Sequence, residues 1–369
     1  MNDMAGATDA PDERRFGLVF QGNWREFLPI VATNFVLTIV TLGIYRFWGK
    51  ARERRYLWSR THFVDDTLEW TGTGREMLVG FLTVMLFFLP IVLALNFGIE
   101  ALALRGQAEL AMKLALGLYA GLFYLIQVAR FRALRYQLSR TYWHGIRGGS
   151  DDRGWMYGLE ALWRYALAWL SIGLLFPWAV AGLWNRRWNS MGFGSLRFAA
   201  ATQFDGLMKR WLLIYLTPVF AVILLGAVFF AAILTGAGGE GAGASTGAAV
   251  GAIGALASLV LIFLLYQLLS LSFYAAFYRK AAASTSIGDV RFLFTASTRD
   301  WVRLYLGHIG LVIATLGLGL LFIPYRNWSF RVRHLEACGH LDLERLTQSQ
   351  TRAPGDAEGL AEAFDLGAV

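Results

Sequence analysis

Three times in this chain a long apolar run breaks on Thr/Ser-Leu/Ile-Gly and gives way at once to aromatic residues and arginines. Thr41-Leu42-Gly43 leads into Tyr45, Arg46, Trp48, Lys50, Arg52, Arg54 and Arg55. Ser171-Ile172-Gly173 leads into Pro177-Trp178, Arg186 and Arg187, and Thr315-Leu316-Gly317 into Pro324-Tyr325, Arg331 and Arg333. A bilayer-spanning helix needs about 20 consecutive apolar residues. Four further blocks meet that length: Met77–Phe97, Leu110–Ala129, Trp211–Leu234 and Gly251–Phe273. With 56% hydrophobic and 16% charged residues among 369, the chain lies outside the soluble range and inside the membrane class.

The four blocks pair into two hairpins, and the three that carry the motif (Phe27–Ile44, Leu159–Leu175, Leu304–Ile323) precede, separate and follow them. Short segments with alternating or aromatic-rich character flank each motif block: Val19–Glu26, Gly145–Trp155 and Arg291–Phe294 before, Leu68–Gly72, Leu196–Phe198 and Leu341–Leu343 after. Trp24, Trp155 and Trp301 hold equivalent places. The spacing predicts a membrane domain over 16–346, made of two units and a truncated third (16–144, 145–288, 289–346). Polar tails over 1–15 and 347–369, the second acidic, are expected to be disordered. The expected fold is mainly α: a multi-pass transmembrane bundle with internal repeats, short cytoplasmic strands and re-entrant hairpins.

Parity and charge together favour re-entry. If each motif block crossed the membrane, successive units would be inverted, and the cluster Arg186, Arg187, Lys209, Arg210 would face outside. Short loops rich in Lys/Arg stay in the cytoplasm. All the basic clusters, Arg130, Arg132 and Arg135 included, share that side only if the motif blocks enter and return on it. The Gly break gives the turn, and Pro177 and Pro324 suit the first turn of a returning helix.

The basic segments are amphipathic: Ile44, Phe47, Trp48 and Ala51 share one helical face, Arg46, Lys50 and Glu53 another. Such helices suit a headgroup layer, so the expected partner is anionic lipid. The lipid-contacting candidates are Arg46, Trp48, Lys50, Arg52, Arg54, Arg55, Arg132, Arg135, Arg186, Arg187, Arg331 and Arg333. The net charge of +8 sits in these segments and not on a soluble basic domain, which argues against nucleic acid. The sequence sets no oligomeric state.

Leu37–Trp48 with its arginine run, followed by Glu69–Glu76 (Glu-Trp-Thr-Gly-Thr-Gly-Arg-Glu), resembles the YjgN-like bacterial inner-membrane proteins, a family of unknown function. The likeness extends over residues 16 to 345. Two departures stand out: Phe47-Trp48 replaces the Pro-Trp found at Pro177-Trp178, and Asp65-Asp66 replaces a glycine. The resemblance implies a multi-pass protein of the inner membrane, and it carries no catalytic residue across.

Enzyme signatures are absent, so a non-enzymatic role without cofactor or metal is expected. The five histidines are scattered, and His334, Cys338 and His340 read as a solvated surface group. One cysteine excludes a disulfide framework. Asn34, Asn96, Gln127, Gln267 and His308 are the polar residues inside apolar blocks, the usual pointers to function in a membrane protein. Arg164 and Lys113 are expected to snorkel. The competing reading is a transporter or channel for a small solute or lipid, motivated by the repeats and Gly breaks; an intramembrane enzyme comes third.

Overall fold

The computed structural model describes residues 15–236, 242–340 and 346–352. The N-terminal segment to residue 14, the centre of the Gly/Ala connector (237–241), the strand expected at Leu341–Leu343 and the acidic end from 353 lie outside the described residues. The chain starts with β1 (Arg15–Phe20), which feeds the helical hairpin α1 (Trp24–Val40) and α2 (Arg46–Ser59). β2 (Thr61–Phe63), β3 (Asp66–Thr67) and β4 (Glu69–Trp70) follow, then the long pair α3 (Gly74–Leu104) and α4 (Ala108–Arg140). β5 (Thr141–Trp143) and β6 (Ile146–Gly149) lead to the second short hairpin, α5 (Trp155–Leu170) and α6 (Phe176–Trp188). β7 (Gly192–Phe193) and β8 (Leu196–Ala200) precede α7 (Met208–Tyr215), α8 (Thr217–Gly236) and the long α9 (Ala242–Ala283). The chain then forms β9 (Thr285–Ile287), β10 (Val290–Phe294), α10 (Thr298–Ala314), a 3-10 turn, α11 (Ile323–His334) and β11 (Leu335–Cys338).

The strands form one antiparallel sheet in the order β3-β2-β1-β11-β10-β9-β8-β7-β6-β5-β4. Its two end strands, β3 and β4, are neighbours in the chain with Leu68 alone between them, so the pairing runs full circle. The small sheet expected under the helices is therefore a ring that draws on the whole described chain. Each helical excursion leaves from one strand and returns to that strand's partner: β1 pairs with β2, β4 with β5, β8 with β9, β10 with β11. The second short hairpin does the same between β6 and β7. Every helix pair among the described residues thus starts and ends at the sheet.

Threonine marks the return. Thr61, Thr141 and Thr285 open β2, β5 and β9, and each hydroxyl donates to the carbonyl four residues back in the helix just ended. The same oxygens accept indole N–H groups from other helices: Trp328 to Thr61 at 2.8 Å, Trp58 to Thr141 at 2.9 Å and Trp184 to Thr285 at 3.1 Å. Trp58 and Trp328 stack with centroids 4.0 Å apart. The β-turns need left-handed backbone, supplied by Gly145, Gly194 and Gly288; where Asp65-Asp66 replaces glycine, Val64 adopts φ 59°. His144 Nε2 lies 2.9 Å from Asp65 Oδ1, tying two turns together and holding the Asp65 carboxyl below its ordinary range. A depressed carboxylate of this kind adds stability above its usual pKa and loses it as pH falls through the lowered one.

The recurring Thr/Ser-Leu/Ile-Gly tripeptide ends α1, α5 and α10 with one geometry. Gly43 N–H donates to Thr38 O, Gly173 to Ala168 and Gly317 to Val312, while Leu42, Ile172 and Leu316 bond three residues back. These are paired Schellman bonds. The motif hydroxyl accepts the N–H four residues on: Thr41 from Tyr45, Ser171 from Leu175, Thr315 from Gly319. Both following residues are left-handed, with φ of 51° and 94°, 54° and 88°, and 50° and 97°.

A Cβ on Gly43 would meet nothing within 4 Å, so Gly43→Ala isolates backbone strain from crowding. It is expected to lower stability by about 1–2 kcal/mol, seen as a lower melting temperature in detergent. Gly98→Ala, equally uncrowded but mid-helix, is expected to be neutral or stabilising by up to about 1 kcal/mol.

Candidate functional site

The three short hairpins present two surfaces, an apolar tip and a charged, aromatic base against the sheet. At the tips, Leu42, Ile172 and Leu316 are 94%, 76% and 96% exposed. Val36, Ile39, Val40 and Ile44 around the first tip are exposed as well, as are Trp169, Leu170 and Ile313 near the others. Beside the second tip an apolar groove of about 980 Å³ opens, lined by Phe123, Tyr165, Trp169, Phe176 and Trp211. Trp211 fixes that tip by donating to Gly173 O at 2.8 Å.

Inside each hairpin a glycine on one arm admits a polar side chain from the other. Asn34 is buried, donating to Gly49 O at 3.0 Å and to Glu53 Oε1 at 3.2 Å, and a Cβ on Gly49 would lie 3.2 Å from Asn34 Cβ. A Cβ on Gly182 would overlap the Arg164 guanidinium, and one on Gly307 the Arg326 guanidinium. Arg164 does not snorkel: it pairs with Glu160 at 2.8 Å and sits over Trp178 at 4.6 Å. Lys113 is exposed and pairs with Glu109 at 2.7 Å. In each hairpin a polar side chain thus lies between the arms, in space that a Cβ at the glycine would take.

The expected headgroup contacts divide by burial. Arg46, Arg52, Arg55 and Arg333 are exposed; Trp48, Lys50, Arg132, Arg186, Arg187 and Arg331 are half-buried. Arg54 and Arg135, at 6% and 4% exposure, are inside the protein, a correction to their place on an outer basic face. Arg54 lies over Trp70 at 4.9 Å, because the sheet beneath α2 covers the side taken from the helical pattern alone as solvated. Arg132 is stacked over Trp155 at 4.5 Å, and Arg186 faces Asp152 at 3.3 Å and Glu160 at 3.4 Å. Glu76 joins α3 to the end of α4, accepting from Tyr136 at 2.7 Å and meeting Arg140 at 3.0 Å.

The polar residues expected inside the membrane are not brought together. Asn34 and His308 are buried in different hairpins; Asn96 and Gln267 are exposed on α3 and α9, and Asn96 bonds only to Val92 O of its own helix. Gln127 is buried in α4. Cys338, expected on the surface, is buried in β11. No cluster of three or more potential metal ligands occurs among the described residues. Residues 347–352, expected to be disordered, bond across the sheet side: Gln348 Nε2 donates to Gly145 O and Thr347 N to Ser195 Oγ. Hydrophobicity counts could not find these contacts; the run of Thr, Gln and Ser there was the available signal.

A family model for bacterial proteins of unknown function, DUF898, matches residues 15–363. The chain belongs to that family. Three relatives carry the name Inner membrane protein YjgN. The one from Salmonella typhimurium is 28% identical over 169 residues, covering 44% of this chain and 40% of the relative. The one from Escherichia coli O157:H7 is 25% identical over 144 residues, 39% and 33% respectively, and the one from strain K12 28% over 93 residues, 25% and 23%. These matches span less than half the length of the curated relatives. No solved structure matches. Among the described residues of this DUF898 member, four helical stretches are long and apolar enough to cross a membrane: Gly74–Leu104, Ala108–Arg140, Met208–Leu234 and Gly247–Ala283.

Asn34→Leu removes the amide's bonds to Gly49 O and Glu53 Oε1 and is expected to cost about 1–3 kcal/mol. Asn96→Leu, removing only a bond within its own helix, is expected to stay within about 0.5 kcal/mol. Thermal unfolding of both variants in the same detergent separates the hairpin contact from the exposed one.

Proposed function

We propose that the protein is a non-enzymatic, multi-pass component of the bacterial inner membrane. Its three short hairpins enter the cytoplasmic leaflet, and their basic arms hold anionic lipid headgroups. The carrying observation is the identity of the tip residues. A left-handed residue after a helix favours glycine or asparagine, and a branched aliphatic side chain there costs about 1–2 kcal/mol. Leu42, Ile172 and Leu316 accept that strain three times while pointing their side chains away from the protein. Contact with hydrocarbon is the compensation that fits.

Helix lengths give the depth. At 1.5 Å per residue α1 is about 25 Å long and α3 about 46 Å, both starting at the sheet. On α4 the basic zone from Arg130 to Arg140 fills about 15 Å nearest the sheet. The tip of α1 therefore extends about 10 Å past that zone, matching the depth at which interfacial helices settle. The long pairs cross; the short ones stop in the first leaflet. Exposed Arg52, Arg55 and Arg333 then lie at headgroup level, Arg46 near the tip snorkels back to it, and the groove beside Trp169 and Trp211 suits an acyl chain. A transporter would need its polar residues along a shared path, and Asn34, Asn96, Gln267 and His308 occupy separate places.

Spin labels on Leu42→Cys, Ile172→Cys and Leu316→Cys, in a Cys338→Ala background, test the depth. In phosphatidylglycerol-containing bilayers the three labels are expected to relax with oxygen more than with a water-soluble nickel chelate. A label on Asp289→Cys, exposed in the turn between β9 and β10 on the sheet side, is expected to do the reverse. Tip labels as water-accessible as that control would sink the reading. Arg46, Arg52 and Arg55 changed together to Gln should shrink the difference in melting temperature between phosphatidylglycerol and phosphatidylcholine bilayers.

A further inference from the structure

A pocket of about 340 Å³ opens between α9 and the third short hairpin, α10 with α11. A row of rings forms its wall: Tyr274 to Tyr278 at 6.5 Å, Tyr278 to Trp301 at 5.8 Å and Trp301 to Tyr305 at 6.2 Å. Phe330 meets Trp301 edge-on at 4.9 Å. Tyr274 and Tyr305 are exposed, so the pocket opens on the outer surface of the helices. Further polar groups come from α11. Asn327 is half-buried, and its side-chain amide neither meets a hydrogen-bond partner among the described residues nor is sealed from contact. Arg331 stands one turn along on the same face. A guanidinium has five N–H donors, so Arg331 can serve an oxygen anion in addition to its other partners. Among the described residues the lining holds no Asp or Glu.

Helix rise orders these groups by depth. At 1.5 Å per residue from the sheet, Arg331 lies at about 5 Å, Asn327 and Tyr305 at about 10 Å, Tyr274 at about 14 Å and Leu271 at about 18 Å. The basic zone of α4 ends at about 15 Å. The pocket therefore passes from charge through amide and phenol groups to hydrocarbon at the level where a phospholipid does the same. Leu268 and Ile309, exposed one turn beyond Leu271 and Tyr305, extend the apolar surface outward. A volume at the small end of ligand sites takes a headgroup and leaves the chains outside. An ammonium headgroup would be repelled by Arg331 and would find no carboxylate to answer it. A phosphate with hydroxyls finds a guanidinium, an amide and a phenol. The geometry points to a site for one phosphatidylglycerol molecule, with its phosphate on Arg331, its glycerol hydroxyls on Asn327 and Tyr305, and its chains leaving past Leu271. This assignment rests on the placement of the third hairpin in the cytoplasmic leaflet proposed above.

Titration of the full chain in detergent with phosphatidylglycerol, phosphatidylethanolamine or glycerol 1-phosphate, read by native mass spectrometry, tests the site. One saturable phosphatidylglycerol step is expected, about tenfold or more tighter than for phosphatidylethanolamine and not displaced by an equal concentration of glycerol 1-phosphate. Asn327→Leu is expected to weaken that step about tenfold. Asn327→Asp sets a carboxylate in the pocket and is expected to move the preference to phosphatidylethanolamine, a gain that misfolding cannot imitate. Arg46, Arg52 and Arg55 line no part of the pocket, and changing all three to Gln should leave the step within about twofold. Absence of the step, its displacement by glycerol 1-phosphate, its loss in the triple variant, or indifference to both Asn327 variants overturns the site. The step as expected together with water-accessible tip labels overturns the leaflet placement alone; lipid-buried tip labels without the step overturn the site alone.

Discussion

A strand at the edge of a sheet leaves a row of backbone N–H and C=O groups without partners, and proteins must cover or pair them. Here the pairing passes from β3 through every other strand to β4, and those two are consecutive stretches of one segment around Leu68. With the ring joined in this way, the helices have only one way to be arranged. Each pair must rise from one strand and come back to the strand beside it, whatever its length. The long pairs and the short hairpins are therefore variants of a single device, set on one rim and differing in how far they reach.

Much of this was legible from residues. Three of the four apolar blocks fall inside single long helices and the third in chain order runs along α7 and α8, and the Gly break does mark a turn with both arms returning to one level. The sheet was the part that could not be read. β2, β5 and β9 have three residues each, too few for alternation to register, and the threonine that opens each is also an ordinary helix-end residue. Without the sheet, a helical pattern cannot say that Arg54 and Arg135 face inward. Their burial follows from what lies beneath α2 and α4. Among the described residues the return strand is the run Leu335–Cys338, where helix α11 passes directly into β11.

The tips and the arms of the hairpins divide two kinds of work. Along the arms, glycines let guanidinium or amide groups lie between the paired helices, and aromatic faces and carboxylates surround the arginines, as for Arg164 between Glu160 and Trp178. Few of these charges are left to act outward. At the tips the backbone is held in a costly conformation that displays aliphatic side chains. Rigid arms are what make such a display useful, since a flexible loop would fold its apolar residues back onto the protein.

The pairing of β1 with β11 has a consequence for how the chain is built. Arg15 lies opposite Cys338, so the first strand gains its second neighbour only when nearly the whole chain has been synthesised. Until then the ring is open at one seam, while each helix pair can already enter the bilayer as it emerges. Assembly would therefore proceed like the closing of a clasp: membrane segments placed in order, with the last short strand locking the first into place.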